Sequence, residues 1–314
     1  MRRCGPISGC WCCLLLGVAL LGCGPSRVAG EPAAPDEVEA VGPLTLERAR
    51  AYVLALVNRD RADLGLEPLS FDPVAAEGAQ RHAEDMARHG FTSHWGTDGS
   101  VPEQRYTEAG GVHLVQENAA CFFDGKAREL ELNAAFLPEE LRKIERAFID
   151  EVPPHDGHRQ NILKPGHTGL GIGLARPVGI EQLCMAQEFT DAYGTYRPLP
   201  RRARVGERVT IAGEVHEPVT FGGIGIARIE PATPLTAAHL NTTSVYQIPT
   251  PYVLFFPRGF KTPKPVTVSG ARFTLDTVLD DRRRSGRYEV SVWGRRPGSD
   301  ELMMVSLRTV LVGE

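Results

Sequence analysis

At 314 residues, with 42% hydrophobic and 24% charged side chains, the chain has the balance of ordinary globular protein and the length for two domains. That balance excludes a disordered, collagenous or multi-span membrane protein. A formal charge of -4 gives no electrostatic support to a nucleic-acid partner.

Residues 1–22 read as a signal peptide. Arg2 and Arg3 precede an apolar run from Trp11 to Leu21, which is too short to cross a bilayer core, a task that takes about 20 helical residues. The tetrad Leu20-Leu21-Gly22-Cys23 resembles a bacterial lipobox, which implies cleavage before Cys23 and a lipid on its sulfur. The expected location is the cell envelope, membrane-anchored and facing the periplasm or the exterior. In a cell with two membranes, Gly24 resembles the sorting signal for the outer one. A plain secretory signal cut near Ala29 is the alternative, and either places the mature chain where disulfides persist. Residues 23–43, rich in Pro, Ala and Glu and without a hydrophobic period, read as a flexible tether.

Structure is expected from residue 44. Thr45 caps a helix with apolar positions Leu46, Ala49, Val53, Leu56, Val57 and Leu64, ending at Gly65. Asp72 as cap, Pro73 in the first turn, and Ala75, Ala76, Ala79, Ala83 and Met86 mark a second helix stopped by Gly90. Ser100-Val-Pro-Glu103 has capping-box spacing and opens a short helix ending at Gly110. The pattern then predicts a strand over 112–123, a long helix over 126–150 interrupted near Pro138, a loop at Pro153-Pro154, and strands over 167–175 and 181–190. Helices around a few strands suggest a three-layer α/β/α sandwich for residues 44–197. From Pro198 short alternating runs replace the helical period, as in Tyr288, Val290 and Val292. Residues 198–314 therefore read as a separable all-β domain, an immunoglobulin-like sandwich.

Seven of the nine histidines precede residue 170. His82 and His89 lie on one helix face but about 10 Å apart along the axis, too far to share a metal, and read as surface or packing residues. No HExxH, GxSxG or CxxC occurs, which speaks against zincin, α/β-hydrolase and thioredoxin chemistry. Gly169, Gly171 and Gly173 lack the last glycine of a dinucleotide fingerprint and more simply allow a close approach to one strand face. Cys121 and Cys184, an even pair in predicted strands, favour a disulfide over a nucleophile.

The remaining segments are Phe91-Thr-Ser-His94, Val115-Gln-Glu117-Asn118, Asp150-Glu151 and Asp156-Gly-His158-Arg159-Gln-Asn161. With Val57-Asn58, Leu66-Glu-Pro-Leu69 and Cys184-Met-Ala-Gln187-Glu-Phe189, they resemble the bacterial branch of the CAP superfamily, or SCP domain, over residues 50–192. The resemblance implies an α/β/α sandwich with a cleft lined by two histidines, His94 and His158, and two acids. One acid is Glu117 and the second is Asp150 or Glu151, with Glu151 standing beside Glu117 as the candidate catalytic pair. Phe148 stands where animal members have Trp.

Two neutral imidazoles in a cleft can hold Zn²⁺ with nitrogens at about 2.0 to 2.1 Å. His94 and His158 are therefore the candidate metal ligands. The first reading is a lipid-anchored protein that binds a lipid, glycan or peptide ligand there, with Zn²⁺ as its candidate cofactor. The second is an envelope hydrolase with Glu117 as general acid or base. The third is an interaction module acting through the β-sandwich, and a purely structural Glu117–His158 bridge is the bland alternative. If Cys23 is the lipidated N-terminus, Cys23→Ala releases the protein into the soluble fraction on membrane fractionation, whereas unchanged membrane partition removes the anchor.

Overall fold

The computed structural model describes residues 42–243 and 245–313. The signal peptide, Cys23 and most of the tether lie outside the described residues. The expected cap at Thr45 forms: its hydroxyl accepts from the Arg48 amide at the start of α1 (Leu46–Ala62). Asp72 accepts from the amides of Val74 and Ala75 to open α2 (Pro73–His89), and Gly90 ends that helix in the left-handed conformation at φ 67°. The third helix, α3 (Pro102–Ala109), opens on Val101 and not on a Ser100 capping box, because Pro102 already supplies the first-turn residue whose missing N–H needs no partner.

The expected long helix is shorter. Only α4 (Pro138–Ile149) is helical, and residues 126–137 run over the surface through isolated bridges Leu130–Pro177 and Leu44–Phe136. Proline disfavours helix in the residue before it, so Leu137 is extended and the helix starts at Pro138. A six-residue helix, α5 (Gly157–Ile162), forms where a loop was expected.

The first sheet has the order β1 (Ser70–Phe71), β3 (Gly169–Ala175), β4 (Cys184–Asp191), β2 (Leu114–Ala120). The β1–β3 pair is parallel and the others antiparallel. Alternation along β3 separates two cores. Leu170, Ile172 and Leu174 face α1 and α4 in one apolar cluster with Val53, Leu56, Leu141 and Phe148. The glycine face receives α2 so closely that a Cβ on Gly171 or Gly173 would lie 2.2 Å from the backbone of Ala75 or Ala79. Three layers result, as the pattern predicted, and the Cys121–Cys184 disulfide ties the end of β2 to the start of β4.

The β-rich region begins slightly before Pro198. One sheet has the order β10 (Thr267–Ser269), β11 (Arg272–Val278), β7 (Arg208–Val215), β5 (Gly194–Tyr196). The other runs β6 (Arg202–Arg204), β13 (Met303–Gly313), β12 (Gly286–Arg295), β8 (Thr220–Ile229), β9 (Val253–Phe255). A single apolar cluster draws Ile211, Phe273 and Leu275 from the first and Ile224, Val290 and Val310 from the second. A short helix, α6 (Ala237–Leu240), interrupts the β pattern.

The β-rich region, read from the sequence as separable, meets residues 44–197 along a buried polar seam. Residues 202–204 pair with β13, and Ala203 is buried. Ser306 donates its hydroxyl to the Val112 carbonyl at 2.6 Å, the Thr309 amide donates to Thr107 Oγ1 at 3.2 Å, and buried Arg287 reaches Gln104 Oε1 at 3.3 Å. The change of composition near Pro198 marks a change of architecture, and a polar, buried seam joins the two parts.

The close approach of α2 to β3 makes a sharp prediction. Gly173→Ala forces a methyl against Ala79 backbone and lowers stability by about 1–3 kcal/mol in urea unfolding. An unchanged midpoint would mean that α2 does not lie on the glycine face.

Candidate functional site

The four residues expected in the cleft come together as two imidazole–carboxylate pairs. His94, in the loop after α2, donates from Nδ1 to Glu117 Oε1 at 3.0 Å. His158, in the first turn of α5, donates from Nδ1 to Glu151 Oε1 at 2.5 Å, and its backbone N–H donates to Glu151 Oε2 at 2.9 Å. Phe148 packs against the His158 ring at 4.5 Å. Asp150, the alternative second acid, stays at the surface and pairs with Arg146 at 2.7 Å, so Glu151 is the residue that reaches the cleft. All four paired residues line a cavity of about 480 Å³.

Glu117 sits on edge strand β2 with its side chain inaccessible to water. Burial alone would raise its pKa. The surrounding cations and hydrogen bonds more than offset that and hold it at about 2. Arg105 of α3 is the permanent cation, donating to Glu117 Oε2 at 2.7 Å. His82 stands 3.6 Å from Glu117 Oε1 but is itself pushed down to about 4 by burial and by Arg105, so it is neutral at pH 7. A carboxylate held this firmly in its charged form is a poor proton carrier, and its geometry is that of a group that orients His94.

Two further residues belong to this network. His82, expected at the surface or in packing, is fully buried and donates from Nε2 to the Ser93 carbonyl at 2.7 Å, bracing the loop that carries His94. Its place on the apolar stripe with Ala75, Ala79, Ala83 and Met86 was the available signal. Glu188 faces Glu117 across the β2–β4 register, and neither of its carboxyl oxygens has a hydrogen-bond partner. Burial, then the Glu117 charge, drive its pKa well above the ordinary carboxylate value. Arg105 carried no sequence signal, and Glu188 entered only within the Cys184–Phe189 segment of the resemblance, with no role attached.

A second buried chain sets the position of His158. Gln187 Nε2 donates to Glu145 Oε2 at 2.5 Å, and Asn118 Nδ2 donates both to Gln187 Oε1 and to the His158 carbonyl at 3.1 Å. Asn161 Nδ2 closes the chain on Asn118 Oδ1 at 2.9 Å. Burial pushes Glu145 up to about 8, leaving it protonated at neutral pH.

The set suits a metal only in part. Each carboxylate accepts an Nδ1 proton, so the lone pair of each imidazole is on Nε2, the usual presentation of a histidine ligand. Among the described residues, however, no group of three or more His, Cys, Asp or Glu side chains is arranged to hold an ion. Zn²⁺ would rest on His94 and His158, with both carboxylates already committed behind them.

Residues 54–177 match the CAP family model, the cysteine-rich secretory protein family. The chain thus carries a CAP domain, and the matched span contains His94, Glu117, Glu151 and His158. It is 28% identical over 164 residues to the uncharacterized protein YkwD of Bacillus subtilis (strain 168), a match covering 48% of this chain and 56% of the relative. The chain thus spans about half the length of that curated relative. Among solved structures it is similar to an extracellular protein containing an SCP domain from Bacillus anthracis str. Ames, at 22% identity and TM-score 0.35, covering 48% of this chain and 45% of the other. It is also similar to an outer surface protein from Borrelia burgdorferi, at 13% identity and TM-score 0.34, covering 48% of this chain and 99% of the other.

Glu145 gives the site's supporting chain a pH signature. Its folded pKa is raised, so between about pH 4.5 and 8 the folded state binds more protons than the unfolded one. This contribution to stability is therefore complete at acid pH and is lost as pH rises, by at most about 1.4 kcal/mol per pH unit. Glu145→Gln keeps an acceptor for Gln187 and removes the titration. The variant accordingly gains on the wild type with rising pH in parallel urea titrations, and parallel pH profiles would place Glu145 in water.

Proposed function

We propose that this protein is an extracytoplasmic ligand-binding protein whose CAP cleft recognises its ligand through His94 and His158, with a divalent metal as the bridging cofactor. The observation that carries the reading is the matched pair of Nδ1–carboxylate hydrogen bonds, 3.0 Å for His94 and 2.5 Å for His158, in one cavity. Each pair fixes ring orientation and tautomer without using Nε2, as the outer carboxylates of metal-binding histidines do. When bound, the metal would supply a Lewis acid with open positions for a ligand atom or water.

The extracytoplasmic location is supported by the lipobox-like segment, by the oxidised Cys121–Cys184 pair, and by the CAP family match. Anchoring by lipid on Cys23 belongs to the same proposal. An envelope hydrolase is the weaker reading, because Glu117 is saturated by Arg105 and His94 and so is a poor general acid or base. The roles proposed here are accordingly orientation of His94 by Glu117 and of His158 by Glu151.

Isothermal titration of the full chain with Zn²⁺ tests the metal. His94→Ala and His158→Ala should each abolish stoichiometric binding with the circular dichroism spectrum retained. Glu151→Ala, which removes only the acceptor behind His158, should weaken it by about 10–100-fold. A wild-type chain that takes up no Zn²⁺ would leave the cleft as a metal-free binding site.

A further inference from the structure

One wall of the CAP cleft does not come from the CAP domain. Val245, Tyr246 and Ile248, in the segment between α6 and β9, line the same cavity as His94 and His158. Tyr246 is fixed there on three sides. Its hydroxyl donates to the buried Glu103 carboxylate of α3, its ring meets Trp95 edge-on at 5.0 Å, and it lies 6.5 Å from the His94 ring. The chain leading to it is fastened to the His94 loop as well. Asn241 accepts from the Thr92 amide at 3.1 Å and donates to the Gly90 carbonyl at 3.2 Å, and the Thr243 and Ser93 hydroxyls bond at 3.2 Å. Residues on both sides of His94 thus touch the C-terminal region.

The composition of this cavity selects among ligands. Its lining includes Glu103, Glu117 and Glu151 and no lysine or arginine, and of the three acids Glu151 is the one whose side chain is open to the cavity, Glu103 and Glu117 being buried behind it. Arg105, the nearby cation, is 2% exposed and spent on Glu117. An anionic ligand entering this site would meet the Glu151 carboxylate and find no lysine or arginine on the lining to compensate. The Gln116 side-chain N–H groups and the side-chain carbonyls of Gln160 and Asn161 offer donors and acceptors that match peptide groups, the Asn161 N–H groups being taken by Asn118 and the Glu117 carbonyl, and Pro154, Val245 and Ile248 give apolar surface for alternate side chains. Val245 is 66% exposed at the rim, where a bound chain would cover it.

We propose that the C-terminal region supplies the selective wall of the cleft, with Tyr246 as its specificity-determining residue, and that the ligand this composite site admits is an extended peptide without net negative charge. The inference rests on the reading that the cleft is the ligand site, and it concerns the peptide rather than the metal.

Fluorescence anisotropy of the full chain with two pools of short dansyl-labelled peptides tests it. Both pools alternate valine, alanine and leucine with charged positions, one using lysine and the other glutamate, and a chitin oligosaccharide serves as an unlabelled competitor. The lysine pool should bind about tenfold more tightly than the glutamate pool. Tyr246→Ala should weaken the lysine pool by about tenfold or more, as expected for an aromatic anchor, while His239→Ala on α6 leaves it unchanged. Tyr246→Phe keeps the ring and loses the tie to Glu103, so it should fall between wild type and alanine. That variant guards against a folding defect in the alanine variant, with urea unfolding of both confirming that the fold is retained.

Equal binding of the two pools, or full binding by Tyr246→Ala, overturns the proposal. So does displacement of the peptide by the oligosaccharide with higher affinity, which would make the ligand a glycan. Zn²⁺ titration separates this result from the metal reading. A Tyr246→Ala chain that keeps its Zn²⁺ but loses peptide supports the selective wall. A wild type that binds the lysine pool without any Zn²⁺ fails the metal reading alone.

Discussion

Glu117 carries a negative charge into a strand with no access to water, and the cleft is arranged around the way that charge is satisfied. An ionised carboxylate in such a place is costly unless it is both paired and hydrogen-bonded. Arg105 provides the counter-charge, which requires α3 to lie against β2, and its two terminal nitrogens also donate to the carbonyls of His94 and Ser100. The second carboxylate oxygen takes the Nδ1 proton of His94, so a decision about charge in the core becomes a decision about tautomer at the surface. Burial, and then the same charge, push Glu188 well above the ordinary carboxylate pKa, and Gly78 leaves it room: a Cβ there would stand 2.8 Å from its carboxyl oxygen. Sequence, helix placement and imidazole chemistry are thus linked through one ion pair.

The second half of the cleft is built differently. His158 is held by Glu151 at the surface and by neutral amides beneath, through Asn118, Gln187 and the protonated Glu145. One histidine is oriented by a buried salt bridge and the other by a chain of amides. The Glu117 network favours its charged form, whereas the Glu145 chain favours the neutral acid. The halves respond oppositely to pH for that reason.

Much of this fold is legible in the sequence where local chemistry decides the structure. Thr45, Asp72 and Gly90 mark helix ends because caps act through the backbone nearest to them, and the glycines of β3 announce a close neighbour because only the absence of Cβ allows one. His94, Glu117 and His158 came from resemblance rather than from any local rule, since 64 residues separate the two histidines. The choice between Asp150 and Glu151 depended on where α4 stops: Asp150 still sits one turn after Arg146 and pairs with it, and Glu151 is the first residue free to turn inward. Helix α5 is too short for its period to be read. Arg105 could not be read at all, because its role is defined by a strand that pairs elsewhere in the sheet.

The β-rich region illustrates a different limit. A shift from helical to alternating pattern identifies where one architecture ends, but it says nothing about the surfaces the two present to each other. Here those surfaces are charged and buried: Glu103 and Gln104 of α3 meet Tyr246, Arg287 and Glu289, and all but Tyr246 are buried. Burial, then the neighbouring Glu103 charge, push Glu289 up to about 9, so the two acids avoid repulsion by one of them staying protonated. Such a seam is stable only when both sides are present, because either side alone leaves buried polar groups without partners. The loop bearing His94 runs along this seam, braced by His82 on the CAP side and by Asn241, Thr243 and Tyr246 on the other. Orientation of the imidazole is therefore a property of the joined chain, and the β-rich region acts on the cleft through packing even without a titratable group at its floor.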